Sequence, residues 1–224
     1  MCDINIMNKH FIHDVATAIK NGQADQAARI ISNSAMLIEA DDSGIPLVHL
    51  FALMGEIHPI RERLNPAVLE TVWGPSWTVV HTAAVTGCLD ALVGSLKKNK
   101  HLLHWGDDWG NSPVHIAARH GNLTQLETFV DASHLVQRNR LFSTPIHIAA
   151  LNCHLDQIAS QLTPGLLILL DLSGETVLDV ARRSGSIQQL SKELVWETEF
   201  LSDPKKRTVA SVLQHAGIEF HNKS

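Results

Sequence analysis

The regular recurrence of one short segment limits how this chain can fold more than any other feature of its sequence. Four copies join a hydroxyl residue to a His or Asp three positions later and then to small apolar residues: Thr78–Ala84, Ser112–Ala118, Thr144–Ala150 and Thr176–Ala181. Pro46–Ala52 is a weaker fifth copy. The anchor residues lie 32, 34, 32 and 32 positions apart: His49, His81, His115, His147 and Asp179. Such a period predicts a repeat protein, in which neighbouring repeats bury a shared core.

A second periodic marker follows each anchor residue by six positions. It comprises Gly55, Gly87, Gly121, Cys153 and Gly185, and Gly22 and Gly217 extend the series in both directions. Ser112 and Thr144 suit the N-cap of a helix, and Pro113 and Pro145 suit the first helical position. The marker glycine suits a left-handed residue that ends the helix. Apolar residues at helical spacing then predict a second helix: Leu123, Leu126 and Val130 in one repeat, Leu155 and Ile158 in the next.

The pattern Thr/Ser-Pro-x-His-x-Ala-Ala with a helix-ending glycine resembles the ankyrin repeat. The resemblance implies an all-α solenoid of about six helix–turn–helix repeats plus a C-terminal half repeat, with hairpin-like fingers. We expect a single domain over 1–224, with repeats at approximately 8–40, 41–72, 73–106, 107–138, 139–170 and 171–203, and the half repeat at 204–224.

The repeated histidines also suggest a metal site, but the resemblance implies another role. In ankyrin repeats this His lines the core and ties adjacent loops together by hydrogen bonds. His10, His13 and Asp14 form a weaker metal candidate, and we expect neither a metal nor a cofactor. Cys153 stands beside His154, yet adjacent residues at a helix end point apart, and a nucleophile needs a base and an oxyanion hole. We therefore expect no catalytic residues and no enzymatic activity.

The composition of the chain indicates which classes of partner and which cellular compartment to expect. The formal charge is −5 with mixed signs, which argues against nucleic acid. The longest run of large apolar residues is Leu166–Leu170, which is far too short for a membrane span. Three scattered cysteines suit a reducing compartment. We expect a cytoplasmic monomer. The segment Pro164–Leu170 has two interpretations, a buried base of a finger or an exposed contact or oligomer surface.

The tryptophans indicate where a partner would bind. The chain has five Trp and no Tyr, and two pairs with the same spacing, Trp73/Trp77 and Trp105/Trp109, precede successive repeats. The resemblance places both pairs in fingers. We expect Trp77 and Trp109 to contact a partner, whereas Trp73 and Trp105 could equally be buried beneath their fingers. Aromatic residues and Arg are enriched at interface hot spots.

Charged and helix-end residues complete the predicted surface. Asp42, Asp108 and Arg140 are expected to face outward, Asp107 and Asp171 to cap their own loops, and Arg119 and His120 to line the concave face. The full predicted partner site is Trp77, Trp109, Asp108, Asn111, Arg119, His120, Arg140, Leu141, Phe142, Trp73, Trp105 and Asp42.

The resulting functional hypothesis is a non-enzymatic module that binds a partner protein through its fingers and concave face. Stand-alone ankyrin proteins resemble those that intracellular bacteria deliver into host cells, so an effector in a host cytosol is one form of this hypothesis. Two alternatives stay open. One is an effector enzyme with the repeats as scaffold, and the other is an oligomerising structural protein.

Overall fold

Short helices make up most of the regular structure in the residues that the computed structural model describes, which are 2–190, 193–196 and 219–222. The prediction of a mostly helical chain is therefore confirmed. The chain divides into two compact units, Met1–Asp108 (unit 1) and Trp109–Ser224 (unit 2). The single domain over 1–224 stays a prediction. Within the described residues, each helix is too short or too polar to cross a lipid bilayer.

Unit 1 combines α-helices with short 3-10 helices and one hairpin. Its α-helices are α1 (Cys2–Lys20), α2 (Ala24–Ile30), α3 (Leu47–Leu53), α4 (Pro66–Leu69), α5 (Val79–Thr86) and α6 (Val93–Leu96). Its 3-10 helices are Ser34–Ile38, His58–Arg63, Leu89–Leu92 and Lys100–Leu103. Strands β1 (Val72–Trp73) and β2 (Trp77–Thr78) pair antiparallel, with Trp73 opposite Trp77. The hairpin lies where the sequence predicts a finger.

Unit 2 twice repeats the order of α-helix, 3-10 helix and α-helix that α3, His58–Arg63 and α4 have in unit 1. Its α-helices are α7 (Pro113–His120), α8 (Ala132–Leu135), α9 (Pro145–Leu151), α10 (Pro164–Leu167) and α11 (Val177–Ser184). Its 3-10 helices are Leu123–Leu126, Leu155–Gln161 and Ser186–Gln189. Strands β3 (Glu193–Trp196) and β4 (Glu219–Asn222) pair in parallel. Gly217 and the predicted helix of the half repeat lie outside the described residues.

The first helix of each pair starts as its sequence predicts. Ser112 and Thr144 are the N-caps of α7 and α9, and a proline occupies the first helical position of each. The backbone N–H of Ser112 donates to Nδ1 of His115 over 3.1 Å, and that of Thr144 to Nδ1 of His147 over 3.3 Å. Each His therefore completes a capping box with its own N-cap residue.

The marker residue ends these helices in the left-handed region. Gly121 ends α7 at a φ of 73°, which costs a glycine little because it has no Cβ. Cys153 occupies the same place after α9 and adopts a φ of 60°. The substitution of the marker glycine has therefore kept the backbone conformation and added strain.

The second helical segment after α7 ends before Val130, which the sequence pattern had included, whereas the segment after α9 contains both predicted residues, Leu155 and Ile158. Leu123–Leu126 and Leu155–Gln161 are 3-10 helices rather than α-helices. Their apolar residues are nevertheless buried as expected, and Leu126 and Leu155 are fully inaccessible. Segments of four to seven residues gain little from α-helical cooperativity, so the tighter 3-10 turn is competitive there.

Small residues allow successive first helices to approach closely within each unit. In unit 1, α3 packs on α5, and in unit 2, α9 packs on both α7 and α11. The Ala-Ala pairs of these helices are fully buried: Ala83, Ala84, Ala117, Ala118, Ala149 and Ala150. The expected role of the alanines in close packing is confirmed.

Candidate protein-interaction surface

The anchor histidines are structural. Nε2 of His115 lies 3.2 Å from the carbonyl oxygen of Ser143, and Nε2 of His147 lies 2.9 Å from that of Leu169. Since a carbonyl oxygen only accepts, each Nε2 carries the proton and Nδ1 accepts from the N-cap backbone. Each buried His thereby ties its own helix to the loop that leads to the next repeat. The predicted loop-tying role is confirmed for both.

His49 reaches the same result by a different route, because Pro46 supplies no side-chain hydroxyl at its N-cap. Nδ1 of His49 lies 2.8 Å from the Thr82 hydroxyl, and Nε2 lies 2.9 Å from the carbonyl oxygen of Thr71. Burial lowers the pKa of His49 and likewise that of His147. Burial disfavours the charged imidazolium, so both side chains are held neutral.

The other metal and catalytic candidates are dispersed. His13 faces Asp42, with Nδ1 2.6 Å from Oδ2. Within the described residues, no group of three or more His, Cys, Asp or Glu could hold a metal ion. Cys153 Sγ contacts the carbonyl oxygen of Ser184, whereas Nδ1 of His154 donates to that of Ala118. The expectation that Cys153 and His154 point apart is confirmed.

The two tryptophans of the β1–β2 hairpin are half-buried. The indole Nε1–H of Trp77 donates to Oδ2 of Asp107 over 3.1 Å. Trp73 lies against the ring of His49, with ring centroids 5.9 Å apart. Of the two alternatives for Trp73, partial burial under the finger is the one observed. Trp105, in contrast, is 36% exposed, so of the two alternatives left open for Trp105, exposure is the one observed.

Acidic residues of unit 1 divide into buried and exposed groups. Asp41 and Asp107 are buried. Asp41 pairs with Nζ of Lys20 at 2.6 Å and accepts amides of its own turn. Asp42 and Asp108 are exposed, as predicted. Asp108 also accepts a hydrogen bond from the Ser76 hydroxyl.

Backbone hydrogen bonds join successive fingers within each unit. In unit 1 the N–H of Asp108 donates to the carbonyl oxygen of Pro75 over 3.1 Å. In unit 2 the N–H of Arg140 donates to the carbonyl oxygen of Trp109 over 2.9 Å. The N–H of Leu172 donates to the carbonyl oxygen of Leu141 over 3.0 Å. The tips of the unit 2 fingers are therefore held at a fixed spacing, one beside the next.

These bonded tips expose large apolar side chains. Trp109 is 58% exposed, Leu141 63%, Phe142 50% and Leu172 65%. Together with exposed Arg140 they form what we call the fingertip row: Trp109, Arg140, Leu141, Phe142 and Leu172. Sequence reasoning found the first four and missed Leu172. Its position 32 residues after Arg140, one repeat period on, is the signal that could have found it.

The loop beneath the row is ordered by local contacts. Oδ1 of Asn139 accepts the backbone N–H groups of Leu141 and Ser143, at 2.9 and 3.0 Å. The guanidinium of Arg138 lies 5.5 Å from the centroid of the Phe142 ring and donates to the carbonyl oxygen of Leu170 over 2.8 Å. A cation over an aromatic face is attractive, so Arg138 orients the Phe142 side chain.

Three further predicted residues lie away from the row. Asn111 is 5% exposed, and its Oδ1 accepts a 2.8 Å hydrogen bond from Asn139. Its side chain is therefore part of the finger base and offers a partner almost no surface. Arg119 and His120 are exposed at the end of α7, where the sequence places them. Partial burial and then the nearby Arg119 lower the pKa of His120.

The apolar segment after Pro164 is mostly a finger base. Leu167 is fully buried and Leu166 is 8% exposed, whereas Leu170 is 49% exposed. The interpretation of this segment as a buried base is confirmed for Leu166 and Leu167. Leu170 is the exposed leucine of this segment, two residues before Leu172.

A comparison with known protein families finds a match in the central part of the chain. The family model described as ankyrin repeats (many copies) matches residues 80–130. The matched stretch begins within α5 and ends between the 3-10 helix Leu123–Leu126 and α8. A search of the curated proteins finds no match.

Proposed function

We propose, from the membership of this chain in the ankyrin-repeat family, that it is a non-enzymatic module that binds a partner protein through its fingers. Ankyrin repeats are generally protein–protein interaction modules. The single observation that carries the proposal is the fingertip row, in which four large apolar side chains are at least half exposed on tips joined by backbone hydrogen bonds.

Such a row is suited to association for two physical reasons. Removing apolar surface from water contributes about 25 cal/mol per Å², and these side chains still expose half or more of their surface. The tips are already ordered by Asn139 and by the bonds between fingers. Binding therefore loses less conformational entropy than it would with free loops.

Other predicted residues contribute less surface to the proposed interface than the fingertip row. Arg119 and His120 on the helical face would extend the contact within unit 2. In unit 1, Trp105 and Asp42 offer exposed surface, whereas Trp73 and Trp77 contribute less because they are half-buried.

The proposal also keeps the finer features that the resemblance implies. These are a solenoid of six repeats with a terminal half repeat, a monomeric state and a cytoplasmic location. Delivery into a host cell remains one version of this hypothesis. The like order of helices in the two units supports the repeat organisation.

A paired capture experiment tests the module. The tagged chain and a Trp109→Ala/Leu141→Ser variant are used to capture proteins from a lysate, and the protein enriched by the unaltered chain is then purified and titrated against both. We expect binding to weaken at least about tenfold, which is about 1.4 kcal/mol. Met54→Ala is the matched control, because Met54 is 45% exposed in unit 1 and outside the fingers.

Two results would overturn the proposal. One is equal binding by the double variant and the unaltered chain, with helical circular dichroism preserved in both. The other comes from light scattering. If the purified chain forms a dimer that the double variant loses, the row serves self-association and the structural alternative replaces the module.

A further inference from the structure

The charges beside the fingertip row differ from those of the chain as a whole. The chain carries a formal charge of −5, yet the central finger of unit 2 bears two exposed arginines, Arg138 and Arg140. Arg138 is engaged by the Phe142 ring and by the carbonyl oxygen of Leu170. The guanidinium of Arg140 has no hydrogen bond or ion pair within the described residues.

The backbone of Arg140 is nevertheless held firmly. Its N–H donates to the backbone carbonyl oxygen of Trp109. Gly110, the residue after Trp109, adopts a φ of 75°. A Cβ on Gly110 would lie 3.2 Å from the backbone nitrogen of Arg140 and 3.5 Å from its Cγ. The glycine thus allows the chain of Arg140 to pass close to Trp109. A fixed backbone beneath an unpaired cation is a good arrangement for selecting a charged group on a ligand.

The neighbouring carboxylates are already engaged. Oδ1 of Asp171 accepts the N–H groups of Ser173 and Glu175 in its own turn. Glu175 itself pairs with Arg183 at 2.7 Å. Within the described part of the chain neither of these carboxylates pairs with Arg140, so its guanidinium is available to a carboxylate from outside.

From these contacts we infer that the fingertip row binds a partner segment carrying an Asp or Glu beside large apolar side chains, and that Arg140 pairs with this carboxylate. The apolar side chains of the segment cover Trp109, Leu141 and Leu172. Arg140 then supplies selectivity, since a planar guanidinium binds a carboxylate in a bidentate fashion. Arg138 acts indirectly, as the residue that orients Phe142. This inference rests on the proposed function, because it names the chemistry of the partner at the same surface.

A display library of random linear peptides is the probe. Selection on the unaltered chain should enrich Asp or Glu adjacent to Phe, Leu or Trp. Selection on Arg140→Gln should retain the apolar residues and lose the acidic ones. Selection on Trp109→Ala/Leu141→Ser should enrich neither. Arg183→Gln is the matched control because Arg183 is an exposed arginine of unit 2 that is paired internally, and it should select like the unaltered chain.

A synthetic peptide from the selection then gives the magnitude by fluorescence anisotropy. Replacing its acidic residue by the amide should weaken binding to the unaltered chain about tenfold or more and leave binding to Arg140→Gln unchanged, as expected for a charge-assisted pair. Peptides without acidic residues, acidic enrichment that persists on Arg140→Gln, or no enrichment on the unaltered chain would each overturn the inference. The proposed function would then still stand if capture depends on Trp109 and Leu141, so the two failures are distinguishable.

Discussion

Nε2 of the Gln157 side chain donates a 2.6 Å hydrogen bond to the backbone carbonyl oxygen of Gly121. The same amide accepts the N–H of Leu123 through Oε1 over 2.8 Å. One side chain therefore bridges both sides of the turn that follows α7. Gln189 makes the corresponding pair of bonds to Cys153 and Leu155, one period of 32 residues later.

This bridge predicts a specific loss of stability. Replacing Gln157 by Ala removes two hydrogen bonds to backbone groups of the preceding repeat, and we expect the free energy of unfolding to fall by about 1–2 kcal/mol. Urea denaturation measures the change. Gln161→Ala is the control, since no hydrogen bond involves the Gln161 side chain within the described residues, and it should change stability by less than about 0.5 kcal/mol. Equal effects of both variants would contradict the bridging role.

The buried anchor histidines predict how stability depends on pH. The pKa values of His49 and His147 are lowered in the folded chain, so the unfolded chain binds protons first as the pH falls. Their contribution is complete above the unfolded value of about 6.5 and is lost as the pH falls from there toward the lower folded values.

Urea titrations between about pH 7.5 and pH 5 test that dependence. The free energy of unfolding should decline across this interval, and His147→Asn should be less stable at the upper end and show a shallower decline. His10→Gln replaces an exposed histidine and should retain the slope of the unaltered chain. A flat profile for the unaltered chain would refute the neutral, buried state of these histidines.

Gly121 predicts a position-specific penalty. Gly121 has a φ of 73° and Gly55 a φ of 74°. An alanine at either position must keep this left-handed conformation, which costs about 1 kcal/mol. Only at Gly121 does the new Cβ meet another side chain, Nε2 of His154 at 2.9 Å.

We expect Gly121→Ala to lose about 1–2 kcal/mol more than Gly55→Ala, since His154 must shift and weaken its bond to Ala118. Thermal unfolding of both variants gives the comparison. A similar loss in the two variants would mean that His154 moves aside without cost.

Cys153 predicts the opposite outcome, a gain in stability. Its φ of 60° is costly for a residue with a side chain, and Cys153→Gly removes that cost at the expense of a more flexible unfolded chain. The expected net gain is about 0.5–1 kcal/mol. Cys153→Ala keeps the strain and should give no such gain. Chemical denaturation under reducing conditions distinguishes the two variants.

The segment after Pro164 predicts two contrasting effects from neighbouring leucines. Leu167 is fully buried, so Leu167→Ala should cost about 2–4 kcal/mol through lost packing. Leu170 is 49% exposed, and the group that it offers to Arg138 is its backbone carbonyl rather than its side chain. Leu170→Ser should therefore change stability by less than about 0.5 kcal/mol. A large loss from Leu170→Ser, measured by urea unfolding, would show that this side chain packs in solution.

Local chemistry made much of the fold predictable. The N-cap roles of Ser112 and Thr144, the first-turn prolines and the left-handed Gly121 depend on contacts within a few residues, so the residues themselves specify them. Cys153 shows the limit of this local control, because it adopts a φ of 60° although its own residue type does not favour that conformation. The helix type of Leu155–Gln161 was predicted incorrectly, since α and 3-10 turns place the same apolar residues inward over so short a segment.

The sequence by itself determined the repeat period, the helix starts and stops, the buried anchor histidines and the presence of fingers that carry Trp109, Leu141 and Phe142. Only the tertiary structure decided which finger residues face water. Trp77 is half-buried because Asp107 accepts its indole N–H, Asn111 is buried because Asn139 binds it, and Leu172 is exposed at the tip bonded to Leu141. The physical reason is that a backbone conformation follows from short-range contacts, whereas the exposure of a side chain depends on groups about thirty residues away in the neighbouring repeat.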